Sequence, residues 1–179
     1  MPEIEIRPAI SNDIPALMAL DHNYTSEYVW QMEIQTQETG VEVNFREVRL
    51  PRSVRVEYPR STAGLADDWT HRSGILIALL EGEPVGYTSL MLDIAPKTTW
   101  MTDLVVKRRL RRQGIGSTLV LASQEWGHQH ACRHIILEMQ PKNYPAIHMT
   151  QKLGFDFCGY NDRYYINHDI ALFFAKQLR

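Results

Sequence analysis

The chain has 179 residues, 44% of them hydrophobic, which is enough for one well-packed domain and short for two. A net charge of −2 excludes a general nucleic-acid coat, and two cysteines, Cys132 and Cys158, exclude a disulfide framework. No apolar run approaches the roughly 18 residues of a membrane span, and seven histidines without His-Glu-x-x-His spacing predict no metal site.

From the N-terminus, Met1–Glu5 lacks the charged and apolar regions of a signal peptide, so a cytoplasmic protein is expected. Ile4-Glu5-Ile6-Arg7 alternates like a strand. Ser11-Asn12-Asp13 offers capping side chains ahead of a helical stripe of Ile14, Leu17, Met18 and Leu20. A weaker helix is predicted over Ser26–Thr36. Residues Val41–Tyr58 alternate apolar and charged, as two strands broken at Leu50-Pro51, and Ser61–Arg72 reads as a polar loop. Ile75–Leu80 and Val85–Leu92 flank the turn Glu81-Gly82-Glu83-Pro84 as a hairpin, and Thr99–Val106 follows as an antiparallel neighbour. Ile115, Leu119, Ala122 and Trp126 mark one face of a long helix, and Phe155–Asn161 and Ile170–Ala175 are final strands.

Between the Leu104-Val105-Val106 strand end and that long helix lies Arg111-Arg112-Gln113-Gly114-Ile115-Gly116-Ser117. The first turn of a helix leaves backbone N–H groups without partners and carries partial positive charge, so a glycine turn there suits phosphate. Lys107, Arg108, Arg109, Arg111 and Arg112 crowd the approach. A dinucleotide fingerprint would need a third glycine where Leu119 stands, and no Gly-Lys-Ser/Thr follows Gly116 for a P-loop. Further on come Ile135–Met139, then Asn143-Tyr144-Pro145-Ala146, then Leu153-Gly154-Phe155. Asn143 is a good N-cap, Pro145 fits a first helical turn, and Gly154 suits the C′ position.

With Arg-x-x-Gly-x-Gly and the Asn143 and Leu153-Gly154-Phe155 segment in this order, the chain resembles the GNAT superfamily of acyl-CoA N-acyltransferases over about residues 75–159, and more loosely throughout. The resemblance implies a single α/β domain over 1–179, with a central, mostly antiparallel mixed sheet splayed at its middle and flanked by helices. Residues 1–72 would form the acceptor side, 75–160 the acyl-CoA-binding core and 161–179 a C-terminal strand. It further implies acetyl-CoA as co-substrate. The backbone of Leu104, Val105 and Val106 would meet the acyl arm, Arg111, Arg112, Gln113, Gly114, Ile115, Gly116 and Ser117 the pyrophosphate, and Asn143 the pantetheine. Asp169–Ala175 and Phe45-Arg46-Glu47-Val48 resemble parts of streptothricin-type acetyltransferases, a leaning toward small aminated acceptors.

Acetyl transfer needs a neutral amine, whereas a free alkylamine with a pKa near about 10.4 is protonated at neutral pH. Asp103 and Glu138 are the candidate catalytic carboxylates, as proton acceptors or as groups that orient a cationic amine. Many relatives place a tyrosine seven residues after the motif asparagine, as general acid for the CoA sulfur; here that position is Thr150, a far weaker acid. Tyr144, His148, Tyr160 or Tyr164 could replace it, or the thiolate could leave and be protonated by water. The expected acceptor is a small-molecule amine, with a protein or peptide amine as the alternative and a non-catalytic acyl-CoA sensor as the second. The basic cluster lacks interleaved aromatics, so neither nucleic acid nor membrane is expected as a partner, and the assembly would be a monomer or homodimer.

Overall fold

A computed structural model describes residues 3–179; Met1 and Pro2, part of the stretch read for a targeting signal, lie outside them. In chain order the elements are β1 (Ile4–Pro8), α1 (Ile14–Met18), β2 (Tyr24–Gln37), β3 (Gly40–Val56), α2 (Gly64–Asp68), β4 (Gly74–Leu80), β5 (Glu83–Met91), β6 (Thr98–Val106), α3 (Ile115–Gln129), β7 (His134–Met139), α4 (Tyr144–Lys152), β8 (Asp156–Asn161) and β9 (Ala171–Gln177). Among the described residues, seven strands form one sheet in the order β1-β4-β5-β6-β7-β9-β8, and β2 and β3 pair only with each other. Every neighbour in the large sheet is antiparallel except β6 and β7. This is the expected mixed, mostly antiparallel α/β domain. No helix among the described residues is long and apolar enough to cross a membrane.

Strand β4 shows why the domain has three layers. Ile75, Ile77 and Leu79 alternate with Leu76 and Ala78, and all five are buried. A strand with apolar residues on both faces needs cover on both. Leu76 and Ala78 share a core with Ile115, Leu119 and Val120 of α3 and Ile147 of α4. Ile75, Ile77 and Leu79 pack instead on Ile14 and Leu17 of α1 and Leu65 of α2. At the β4–β5 turn, Glu81 and Gly82 have φ of 52° and 81°, the two positive values that a type I′ hairpin turn requires.

Three expectations need correction. Ser26–Thr36 is extended, because Trp30, Met32 and Ile34 repeat at a period of two and stand opposite Glu47, Phe45 and Val43 of β3. The two strands expected over Val41–Tyr58 are one, β3. Its ladder with β2 nevertheless skips Leu50–Ser53, so Pro51 never has to donate to a partner. Ser61–Arg72 is not all loop: α2 and a 3₁₀ turn at Trp69–His71 form there, held by Leu65 in the second core. The β2–β3 ribbon is held to the body by Trp30 and Phe45, whose rings pack on Phe157, with Phe174 against Trp30 and Tyr160 against Phe45.

Candidate active site

The sheet forks at Met101. Strand β6 pairs with β7 only from Thr98 to Met101, against His134 to Leu137. Beyond that point β6 stays on β5, while Glu138 and Met139 of β7 follow β9. A bulge marks the fork: Ser89 faces Asp103 and Leu90 faces Met101, leaving Thr102 without an opposite residue. Lys107 N–H donates to Val85 O at 2.7 Å, and alternation from there turns the backbone of Val105 toward β5 and that of Leu104 and Val106 into the gap. Of the three residues expected along the acyl arm, Leu104 thus turns its peptide group and Val106 its N–H toward it, the Val106 carbonyl being taken by Arg111, and Val105 does not.

A cleft of about 570 Å³ opens on this gap between β6, α3 and α4. Gly114 caps α3 in a left-handed conformation (φ 89°), and the first-turn amides of Ile115, Gly116 and Ser117 have no partner within the helix. The Ile115 side chain is buried in the core, so only its backbone reaches the cleft. Gly116 lets the α3 turn approach α4: a Cβ there would lie 3.3 Å from Met149 Sδ. Arg55, Arg108, Arg112 and Lys152 stand around the cleft against Asp21, a charge balance that suits phosphates. Gln113 is exposed and does not line it. Arg111 lines it but spends its guanidinium elsewhere: Nε donates to Val106 O (2.7 Å), Nη1 to Asn23 O (2.7 Å) and Nη2 to Asp21 O. Asn143 caps α4 by accepting from Ala146 N–H through Oδ1, which leaves its Nδ2 to donate into the cleft.

A second cavity of about 50 Å³ fills the fork itself and shares Tyr24, Tyr58, Leu104, Asn143, Ala146 and Met149 with the cleft. Asp103 and Glu138 both line it, as the sequence pattern suggests, but neither is free. Asp103 accepts from Tyr58 OH, from Arg72 Nη1 (3.2 Å) and from Thr102 Oγ1 (2.8 Å), with Arg60 Nη1 at 3.6 Å. Glu138 accepts from Arg60 Nη2, Trp100 Nε1 (2.6 Å) and Tyr164 OH (2.8 Å). Arg60 also donates to Thr102 O at 2.9 Å and lies over the Tyr165 ring. Burial works against the Arg60 charge, but Asp103 and Glu138 more than offset it and hold the guanidinium pKa up. Burial likewise pushes the Tyr58 phenol up, with Asp103 adding to it. Two carboxylates face two guanidiniums, so the fork carries no net negative charge to draw in a cation.

The candidates for general acid are placed apart from the fork or are engaged. Thr150 is fully buried and its hydroxyl donates to Ala146 O at 2.7 Å, within its own helix. Tyr144 stacks between Tyr28 and His148, Tyr160 packs on Phe45, and Tyr164 is bound to Glu138. Only His148 faces the cleft. Sequence reasoning missed Arg60, Arg72, Tyr58 and Tyr24, whose partners are distant in the chain.

Another buried group beside the cleft is His22. Its Nδ1 lies 2.7 Å from Leu20 O, which can only accept, so Nδ1 carries the hydrogen and Nε2 accepts from Tyr87 OH at 3.0 Å. Burial lowers its pKa below 6.5. Below about pH 6.5 the unfolded chain therefore binds a proton that the folded chain resists. The stability this imidazole contributes is present above that pH and is lost as pH falls through the lowered folded value. The thermal midpoint should drop between about pH 7.5 and pH 5, and His22→Gln should flatten that drop. An identical slope in both proteins would remove His22 from the cause.

Comparison with known proteins agrees with this geometry. The model of the acetyltransferase (GNAT) family matches residues 43–155, more than half of the chain. Streptothricin acetyltransferase of Streptomyces lavendulae is 25% identical over 166 residues, covering 90% of this chain and 86% of its own. The crystal structure of nourseothricin acetyltransferase superposes with a TM-score of 0.81 at 22% identity, over 98% of this chain and 99% of that one. A Bacillus anthracis strain Ames protein, provisionally assigned as a streptothricin acetyltransferase and solved with acetyl coenzyme A, gives 0.75 at 19% identity over the same shares. The chain belongs to the acetyltransferase (GNAT) family, as an acetyl-CoA-dependent N-acetyltransferase.

Proposed function

We propose that the protein moves the acetyl group of acetyl-CoA directly onto a primary amine of a small molecule, with donor and acceptor bound together. The observation that carries this reading is the junction of the two cavities at the fork. The cleft suits a long, anionic donor, and the fork cavity leaves room for one reacting group and not for a length of polypeptide. Neither Cys132 nor Cys158 lines either space, so no thiol is placed to carry the acetyl group between the two. In this reading Gly114, Ile115, Gly116 and Ser117 bind the pyrophosphate through backbone amides. Arg112 assists by charge, Asn143 and the Leu104 and Val106 backbone hold the arm, and Arg111 braces the Asp21–Asn23 turn. Asp103 and Glu138 shape the acceptor side through Arg60 and Arg72.

The relatives named for streptothricin and nourseothricin support an aminated antibiotic as the acceptor, and the free cysteines and CoA-dependent chemistry fit the cytoplasm. The test is thiol release from acetyl-CoA with streptothricin, nourseothricin, polyamines and peptide N-termini, each product being checked by mass. Turnover with a small amine and no acetylated enzyme is expected. Turnover confined to peptides would favour the protein-acetylating alternative, and no release with any amine would sink the reading.

A further inference from the structure

Tyr24 opens β2 and lines both the donor cleft and the fork cavity. Its hydroxyl lies 2.6 Å from Gln140 Oε1, and Gln140 Nε2 lies 2.7 Å from Asp169 Oδ2. Gln140 is 2% exposed, so the middle of this chain of contacts is shut away from water. A carboxylate only accepts, which obliges the nitrogen of Gln140 to face Asp169 and its oxygen to face Tyr24. Asn167 Nδ2, 3.1 Å from the same Asp169 oxygen, is a second donor on it. Tyr24 must then be the donor to Gln140. Burial pushes its pKa up, with Tyr165 and Asp169 adding to the shift, so the phenol keeps that proton through the working range.

A hydroxyl whose proton is committed has only lone pairs left for a ligand. The departing sulfur and the acetyl oxygen are themselves acceptors, so a phenol held this way repels both. Among the reacting groups only the amine has N–H to give. We infer that Tyr24 is a specificity-determining residue that accepts a hydrogen bond from the attacking amine, and that Asp169, through Gln140, is the positioning residue that sets this polarity. The inference rests on the proposed amine acetylation. During transfer the nitrogen lone pair forms the C–N bond and the C–S pair leaves on sulfur. The nitrogen gives its proton to water, and the thiolate takes one from water. Tyr24 holds an N–H while positive charge develops on nitrogen, and it neither gains nor loses a proton. The Thr150 hydroxyl is committed to Ala146 O and does not serve the sulfur as an acid, and on this reading Tyr24 does not either.

The test uses an amine that the wild-type enzyme turns over; if none exists, the proposed function fails and this inference is not what failed. Tyr24→Phe should lower kcat/KM for the amine about tenfold or more, as loss of a hydrogen bond to a developing charge does, with the acetyl-CoA Kd unchanged. Asp169→Asn allows the Gln140 amide to turn and should give a smaller loss of the same kind, and the double variant should be no worse than Tyr24→Phe. The backbone carbonyl of Asp169 that binds Tyr164 and Tyr165 N–H is kept in that variant. Three results overturn the inference: an unchanged kcat/KM in Tyr24→Phe, a weakened acetyl-CoA Kd in that variant, or losses that multiply in the double variant.

Discussion

With Gly114→Val and Gly116→Val combined, acetyl-CoA binding should disappear while the fold survives. The two substitutions act by different physics. Nothing lies within 4 Å of a Cβ at Gly114, so space is not the difficulty there; a φ of 89° is. A β-branched residue resists the left-handed region, at a cost of about 1–2 kcal/mol or more, and relaxing it would swing the first-turn amides away from the cleft. At Gly116 the backbone is helical and the obstacle is steric. Its Cβ would meet Met149 Sδ at 3.3 Å, with Val106 Cγ2 at 3.9 Å and Leu104 Cδ2 at 4.0 Å, which are walls of the donor cleft. A strain of this size is small against the usual 5–15 kcal/mol of a domain, so the circular-dichroism spectrum should stay native. Calorimetric titration with acetyl-CoA checks the expectation. Wild-type affinity in the double variant would refute the assignment of this turn as the donor site.

The second large effect is expected at Arg60. Its side chain is 26% exposed, whereas that of Glu138, on which it lies, is 0% exposed. Arg60→Met keeps length and packing but leaves Glu138 without its cation. Removing one partner of a buried pair typically destabilises by about 3–5 kcal/mol. Trp100 and Tyr164 still donate to Glu138, so the lower end is expected, about 3 kcal/mol. In a chain of this length that lowers the thermal midpoint by about 6–12 °C. Adding Glu138→Gln to Arg60→Met should recover more than half of the loss, because the orphaned charge is then gone. A variant that melts like the wild type would mean that the fork's carboxylates do not depend on their guanidiniums.

The proposed donor side is legible in the sequence because it is nearly contiguous. Leu104 to Ser117 is one strand, one turn and one helix start, and local chemistry specifies each step: the strand's apolar run, the glycine in the left-handed region, the asparagine cap further on. The acceptor side is assembled from remote segments. Tyr58 and Asp103 are 45 residues apart, Arg60 and Glu138 are 78 apart, and Tyr24 and Gln140 are 116 apart. No periodicity connects such pairs. The ribbon differs from its sequence reading for another reason. Gln31, Met32, Glu33 and Gln35 are helix formers by intrinsic propensity, and pairing with the following strand, Glu42–Arg46, overrides them. Arg111 belongs to the readable motif yet has a different task, because two of the three carbonyls it ties lie about ninety residues upstream.

The fork has a mechanical consequence. The sheet consists of a four-strand wing, β1-β4-β5-β6, and a three-strand wing, β7-β9-β8, joined along a seam of only four residue pairs. Below Met101 the seam is stitched, and above it the wings share no ladder at all. Prying the mouth wider therefore ruptures no strand pairing, and resistance to opening falls to the core shared under both wings and to the side chains that bridge them, Arg60 among these. Such a jaw has a soft direction set by its own architecture. On the proposed reading, room for an acyl group bulkier than acetyl depends on how firmly Arg60 holds Asp103 and Glu138 across this mouth.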